Sequence, residues 1–498
     1  MSNNNLKQIK NKTIKSLKWQ SFNSLVSTIV NPISLIVLAY LLTPKEYGYI
    51  AILTIIISFA EKIANMGFSH AIIQKEKVSK KDLNSIFWFI TTFSVMISII
   101  IYIFSYNIAT LFGEPELVKL IKYSSLIFLL QPIGSIFNSI LKKELQYDLF
   151  TKVQIAQLVT NKGSMLYLAF IGLGTASFPI GYILGNLIAN LLLIVIFIRG
   201  NIWFPKIQFS LNNLSKYFKF GFSVSLNSIL NNLSYYIDEI IISSIFSIET
   251  LGIYHFVKNI FNNVIRIVDS TISQVMFPVF SKMQSFDKEF TNSILKLLKS
   301  VSLLIVPVSI GLSLTSSLFV PVLFGSEWLN AITMFYYMCF WAISHLTTSI
   351  LVGPLYGRGR SDWVLLVTVV EIPVRILVLY LFSYMGINYF ILAFSILPLF
   401  KLIIYLNMIK KLTGIDLVYT ILSLKGIYLA AIFSSSIGLL IKLSLQNIIG
   451  LIFTLLIVIL FVAIIYILLI RYLDRSMFNY TITLMKKVFN SEKKIETQ

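Results

Sequence analysis

Residues 23–48 read NSLVSTIVNPISLIVLAYLLTPKEYG, and this stretch decides the fold. Its first part is long and oily enough to cross a bilayer, which takes about 20 residues in a helix. Gln20, Asn23, Ser27, Asn31 and Ser34 form a polar stripe on that helix at helical spacing. The sharp turn Leu42-Thr43-Pro44-Lys45-Glu46-Tyr47-Gly48 ends it. About 204 residues later the chain writes the pattern again. Asn227-Ser228 echoes Asn23-Ser24, and Ile248-Glu249-Thr250-Leu251-Gly252 echoes Pro44 to Gly48. A polar helix duplicated in an apolar chain predicts two halves facing one another across a wet space.

Outward from that stretch the echoes continue in order. Asn84-Ser85-Ile86 returns as Asn292-Ser293-Ile294, Leu111-Phe112-Gly113 as Leu323-Phe324-Gly325, and Ser139-Ile140-Leu141 as Ser349-Ile350-Leu351, while Gly174 falls opposite Gly386. Each tripeptide alone is weak, and their shared order is the stronger signal. Six helices per repeat is an even number, so both halves insert the same way up, about an axis along the membrane normal.

Hydrophobic residues are 57% of the chain and charged ones 12%, against about 25% charged in soluble domains. The fold class expected is an all-α polytopic membrane protein. About fourteen spans are read, near 19–42, 48–70, 84–106, 118–140, 153–174, 176–198, 220–246, 251–277, 293–317, 329–352, 363–385, 387–409, 424–445 and 448–470. The domains follow as 1–199 for an N-terminal lobe, 200–219 for a cytoplasmic linker, 220–410 for a C-terminal lobe, 411–470 for two added helices, and 471–498 for a cytoplasmic tail.

Loop charge supports the count. Lys75 to Lys81, Lys142, Lys143, Lys152, Arg199, Lys206, Arg358, Arg360, Lys410 and Lys411 fall in loops on one side; Lys45, Lys119, Lys122 and Lys442 are the cations of the other. The positive-inside rule puts the basic loops and both termini in the cytoplasm of a multi-pass cell-membrane protein. The net charge of +20 is therefore a topology signal rather than a nucleic-acid surface. The basic N-terminal residues precede no short apolar core with a cleavage site, so no removable signal peptide is expected. One cysteine, Cys339, and three scattered histidines, His70, His255 and His345, argue against an internal disulfide, a zinc site or a cofactor.

Charges at membrane depth are costly and point inward. The cations are Lys62, Lys162, Lys258, Arg266, Arg375 and Lys401; the anions are Glu61, Asp238, Glu239, Asp269 and Glu371. In the repeat, Lys62 aligns with Arg266 and Lys162 falls near Arg375. Paired cations from two lobes can converge on one anion. Polar stripes through Asn227, Asn231 and Asp238, and through Lys258, Asn259, Asn262 and Arg266, predict a cavity lined by the first, second, seventh and eighth spans. A plainer account competes. Arg266 with Asp269 and Glu371 with Arg375 stand at neutralising helical spacings, Lys401 and Lys258 can snorkel to an interface, Lys401 above all, and amide stripes can be glue between helices.

The turn Leu42–Gly48 resembles the L-x-P-x-x-[FY]-G turn of bacterial polysaccharide flippases, within the multidrug/oligosaccharidyl-lipid/polysaccharide exporter superfamily. Gly67-Phe68-Ser69-His70-Ala71-Ile72-Ile73-Gln74, Leu141 to Tyr147, Tyr236-Ile237-Asp238 and Phe277-Pro278-Val279-Phe280-Ser281 carry the same likeness, with His70 standing where a small residue is expected. The resemblance implies two six-helix lobes in a V and a lipid-linked oligosaccharide, on undecaprenyl diphosphate, flipped outward by alternating access. It implies no enzyme activity, a monomer in membrane lipid, and transient contact with glycosyltransferases or a polymerase. On this reading Lys62 and Arg266 bind the diphosphate, with Lys162 and Arg375 secondary. Asn23, Ser27, Asn31, Asn227, Asn231, Asn259 and Asn262 line the cavity, and Asp238, Glu61 and Asp269 are candidates for proton or sodium coupling. The rivals are a cation-coupled multidrug exporter, which wants an acidic cavity; a membrane-embedded polysaccharide polymerase, which wants a large outer loop; and a twelve-helix facilitator with two added helices.

Overall fold

A computed structural model describes residues 3–282, 287–414, 416–480 and 483, and every regular element among them is helical. In chain order come α1 (Asn3–Leu41), α2 (Pro44–Asn65), α3 (Phe68–Gln74), α4 (Lys80–Ile103), α5 (Ser105–Leu111) and α6 (Leu117–Ser125). Next are α7 (Ile127–Lys143), α8 (Tyr147–Leu168), α9 (Ser177–Arg199), α10 (Leu211–Ile245), α11 (Ile248–Lys282) and α12 (Asp287–Leu323). The series ends with α13 (Asn330–Ile350), α14 (Val352–Gly357), α15 (Ser361–Ser383), α16 (Ile387–Thr413), α17 (Leu417–Leu445) and α18 (Leu451–Leu473).

Eleven helical segments among the described residues are long and apolar enough to cross a membrane. Of the spans read from the sequence, α8, α10 and α11 are long enough but too polar or too charged to qualify. A lipid-facing helix has no use for such side chains, so their polar faces belong inside the protein. Some expected spans are broken. The one near 48–70 divides into α2 and α3 at Met66 and Gly67, both with positive φ.

The signature turn is a helix start. The Thr43 side chain accepts from the Glu46 N–H, the Glu46 carboxylate accepts from the Thr43 N–H at 2.9 Å, and Pro44 occupies the first turn of α2. This capping box satisfies donors that a helix N-terminus otherwise leaves open. The echoed turn starts α11 in the same way, with the Thr250 N–H donating to Ser247 Oγ at 3.2 Å. The two turns also touch. A Cβ on Gly252 would stand 1.8 Å from the Pro44 carbonyl oxygen, and one on Gly48 would stand 2.1 Å from the Ile248 oxygen. The contact is reciprocal, each glycine meeting the first residue of the other motif, as in an isologous pairing.

The chain divides into two compact units, Met1–Phe256 and Val257–Gln498. In the first, α1 packs along α8 and α8 along α9. The α8–α9 approach is close because Gly181 and Gly185 face it: a Cβ on Gly185 would lie 2.6 Å from the Asn161 Cβ and 2.9 Å from the Gln157 oxygen. An aromatic core of Phe68, Phe87, Phe137, Phe197, Trp203 and Tyr217 ties α3, α4, α7, α9 and α10 together, with Phe137 stacked on Phe197 at 4.2 Å. The α10 helix lies on α2, where Ser225 Oγ donates to the Lys62 carbonyl at 3.2 Å and Asn232 Nδ2 to Ser58 Oγ at 3.0 Å.

In the second unit α13 packs on α12 and α16, and α12 on α17 and α18. Lys442, read from the sequence as a loop cation, instead lies buried in the last turn of α17 and donates to the Leu314 carbonyl at 3.2 Å. Lys299 on α12 pairs with Asp474, just past α18, at 2.7 Å. Burial pushes the Asp474 carboxyl up, but Lys299, the Ser476 hydroxyl and the Met477 N–H outweigh it and hold it below its ordinary value.

Candidate functional site

The three polar helices are explained in part by a cavity of about 540 Å³ inside the first unit. Its walls come from α2, α3, α7, α8, α9 and α10. Glu61 and Lys62 contribute from α2, Gln131 and Asn138 from α7, Gln154 and Gln157 from α8, Tyr182, Asn186 and Asn190 from α9, and Ser225 and Ser228 from α10. His70, the residue that departs from the flippase pattern, is also on the wall, as is Lys142.

Hydrogen bonds fix much of this lining. Tyr182 donates its hydroxyl to Glu61 Oε1 at 2.9 Å. Gln131 Nε2 donates to the Glu61 carbonyl at 2.8 Å. Gln154 Nε2 donates to Gln157 Oε1, Gln157 Nε2 to Asn186 Oδ1 at 3.0 Å, and Asn186 Nδ2 to the Tyr182 carbonyl. Asn190 Nδ2 bonds the Leu130 carbonyl at 2.7 Å. Lys62 is different. Its side chain is exposed on the cavity wall, and among the described residues no carboxylate lies within 4 Å of its ammonium. Glu61 beside it is close enough to feel its charge but forms no ion pair with it, because adjacent helical residues point apart, and Glu61 Oε1 accepts from Tyr182 instead.

Of the residues expected from the sequence, Glu61 and Lys62 meet at this cavity. Asn23, Ser27 and Asn31 are half-buried on α1 and do not line it. Asn227 and Asn231 are exposed on α10 and bonded to each other at 3.2 Å; the α10 face turned to the cavity carries Ser225 and Ser228 instead. Lys162 is half-buried on α8 and engaged by a neighbour. Asp238 is fully buried and accepts from the Tyr254 hydroxyl at 2.5 Å, and Glu239 meets His255 Nδ1 at 3.0 Å. Asn259 and Asn262 are half-buried on α11, each with a partner. Arg266 is exposed on the same helix and donates to Asn263 Oδ1. Asp269's side chain lies outside the described residues. In the second unit the Arg375 guanidinium lies over the Phe394 ring at 5.1 Å. Lys401, expected to snorkel, pairs with Glu371 across α15 and α16 at 2.5 Å; an ion pair within reach is a better refuge for its charge than an interface.

The amides of α7, α8 and α9 and the Tyr182 partner of Glu61 escaped the sequence reading. A signal existed: Gln154 with Gln157, Asn186 with Asn190, and Gln131 with Asn138 recur at intervals that share a helix face. Among the described residues no group of three His, Cys, Asp or Glu is placed to hold a metal.

Polar helices around a hydrophilic hollow, set among many apolar spans, define a polytopic membrane protein of the transporter type. Residues 37–333 match the family described as polysaccharide biosynthesis protein, and the chain belongs to that family. Among its relatives, the teichuronic acid biosynthesis protein TuaB of Bacillus subtilis (strain 168) is 25% identical over 69% of this chain and 71% of its own length. The lipopolysaccharide biosynthesis protein WzxC of Escherichia coli (strain K12) is 23% identical over 71% of this chain and 72% of its own. Among solved structures, the lipid II flippase MurJ in an inward closed conformation superposes with a TM-score of 0.74 at 15% identity, covering 93% of this chain and 99% of that one. An inward-facing multidrug resistance MATE family transporter superposes with 0.59 at 14% identity, covering 78% and 95%. At those identities the likeness speaks for the fold.

Proposed function

We propose that this protein moves lipid-linked saccharide precursors of a surface polymer from the cytoplasmic to the outer leaflet of the cell membrane by alternating access. The cargo is an undecaprenyl-diphosphate-linked oligosaccharide. Its diphosphate must cross a region of low dielectric, where bare charge is costly. Lys62 and Arg266 replace its hydration, with Lys162 and Arg375 in secondary roles; Lys acts as a point charge and Arg as a bidentate fork. Glu61 and Asp238, each bonded to a tyrosine hydroxyl, are the groups through which a proton or sodium ion would drive the cycle. The protein performs no covalent step on this reading. Glycosyltransferases that build the precursor and a polymerase that uses it are its transient partners.

The observation that carries the proposal is Lys62: a cation exposed on the wall of a polar cavity, with no carboxylate within 4 Å of its ammonium among the described residues. A ligand anion is what such a group awaits. The test is surface polymer made by cells carrying Lys62→Ala together with Arg266→Ala. Polymer should fall at least about tenfold, as loss of two charge-assisted contacts implies, with precursor accumulating on the inner leaflet and the variant present at normal levels in the membrane. Normal export would end the assignment.

A further inference from the structure

The segment between α9 and α10, read from the sequence as a linker, is pinned to a membrane span. Asn84 Oδ1 accepts from Trp203 Nε1 at 3.1 Å and from the Lys206 N–H at 3.2 Å, and Asn84 Nδ2 donates to Gln208 Oε1 at 3.3 Å. Ser85 Oγ accepts from the Ser210 N–H at 3.1 Å, and Trp88 Nε1 donates to the Lys206 carbonyl at 2.8 Å. These anchors lie four to eight residues inside α4, a candidate span that starts at Lys80. At the helical rise they are about 6–12 Å from its end. The 24 residues of α4 make a helix about 36 Å long, against a hydrocarbon core of about 30 Å. The pinned segment therefore sits at the headgroup boundary and not in open water.

Its polarity is inside out for a loop in water. Gln208 and the Ser210 backbone turn to α4, while the alternate residues Ile207, Phe209 and Leu211 face outward. Ile207 is 92% exposed and Phe204 is half exposed, whereas Trp203 is buried. Apolar side chains turned out, with polar groups spent inward, suit a lipid surrounding. The charges agree. Arg199, Lys206, Lys216 and Lys219 are exposed around the segment, and no Asp or Glu occurs from Arg199 to Ile237. Cations held near a bilayer surface attract anionic headgroups, and long basic side chains reach up to them from below. A cytosolic protein would have to enter the headgroup layer to meet the same face.

We propose that residues 202–211 are an interfacial strap seated in the leaflet that the positive-inside rule makes cytoplasmic. Phe204, Ile207, Phe209 and Leu211 lie among the upper acyl chains, and Arg199, Lys206, Lys216 and Lys219 lie on the phosphates of anionic lipid. The partner is the lipid surface itself, whatever cargo the protein carries.

The experiment places the full-length protein, carrying Ile207→Cys labelled with bimane, in nanodiscs whose lipids are brominated on the acyl chain. An unmutated chain treated alike gives the blank for Cys339, which is buried. Bromolipid should quench the label at least about threefold more than aqueous iodide does, as insertion past the headgroups implies. The order should reverse for Lys77→Cys, an exposed site in the loop before α4. Phe209→Cys repeats the reading at a second position and should agree with Ile207→Cys. At equal mole fraction, brominated phosphatidylglycerol should quench about fivefold more efficiently than brominated phosphatidylcholine, the enrichment given by one nearby cation. Glutamine at Arg199, Lys206, Lys216 and Lys219 should bring the two lipids within about twofold of each other and keep the preference for lipid over iodide. Iodide quenching at Ile207→Cys as strong as at Lys77→Cys makes the segment a loop in water and overturns the strap. Quenching by neither agent shows a cover of protein, a second copy or a partner, and overturns it equally. Equal quenching by the two lipids before any cation is replaced sinks the role given to the anionic headgroups.

Discussion

The two compact units hold ionisable side chains at depths where each costs about 2.5–3.5 kcal/mol on insertion scales, and they dispose of them differently. In the first unit the acids are met by neutral or weakly basic donors: Glu61 by the Tyr182 hydroxyl at 2.9 Å, Asp238 by Tyr254 at 2.5 Å, Glu239 by His255 at 3.0 Å. In the second unit Lys401, Lys258 and Arg375 are absorbed by packing, while Arg266 stays exposed. Lys401 pairs with Glu371, and Lys258 and Arg375 lie 5.9 Å and 5.1 Å from the Phe394 ring centre. Phe394 stacks on Trp341, which stacks on His345. Neutralising acids with hydroxyls leaves a lysine over for a ligand. Laying cations on rings and carboxylates commits them to the fold. Lys258, Arg375 and Lys401 are committed to cohesion, whereas Lys62 in the first unit and Arg266 in the second stay exposed, which ranks Lys62 above Arg375 as a contact for cargo.

The sharpest way to break that contrast is at Glu371. Replacing it with leucine leaves the Lys401 ammonium, only about a quarter exposed, without its carboxylate. Removing one member of a buried pair costs about 3–5 kcal/mol, and the partial exposure here places the expected loss near the lower end, about 3 kcal/mol. Adding Lys401→Met should recover most of it. Unfolding of the purified protein in detergent measures both. A single variant that costs less than about 1 kcal/mol would mean that the second unit's cations are not structural, and the distinction between the units would go.

A smaller effect is expected across the cavity. Tyr182→Phe removes the hydroxyl that Glu61 accepts from and leaves the ring in place. A hydrogen bond to a charged or buried group is worth about 1.5–3 kcal/mol, and the carboxylate can recover part of that from water in the cavity, so a loss of about 1–2 kcal/mol is expected in the same unfolding measurement. No loss would show that Glu61 does not depend on Tyr182, and Lys62 would regain a plausible partner next door.

How much of this the chain announces in advance depends on the range of each interaction. Spans were legible because hydropathy and loop charge act locally, and the signature turn was legible because a capping box sits within four residues. The break of α2 from α3 was not: Met66 and Gly67 take left-handed angles where the Gly221 backbone presses in, a Cβ on Gly67 standing 2.1 Å from the Gly221 oxygen. That neighbour is remote in sequence. Lys401 shows the same limit. Reading along one helix offers Glu371 only Arg375 as a partner, whereas folding brings Lys401 from α16. In the site, Glu61 and Lys62 were legible because charges in oil stand out. Gln131, Asn138 and Asn186 were not, since single amides in a span read equally well as glue between helices, and only the fold puts them around one hollow.

The smallest expected effect is the most telling. Lys62→Ala removes an exposed side chain with no carboxylate within 4 Å among the described residues, so its cost in unfolding free energy should stay within about 0.5 kcal/mol. A cation kept for cohesion would not behave so; its loss would resemble that of Lys401. The dissociation of the two readouts, stability untouched and diphosphate binding weakened, is what separates a residue held for a ligand from one held for the fold. If the unfolding cost of Lys62→Ala exceeds about 2 kcal/mol, Lys62 is a packing residue like its counterparts in the second unit, and the search for the anion contact moves to Arg266.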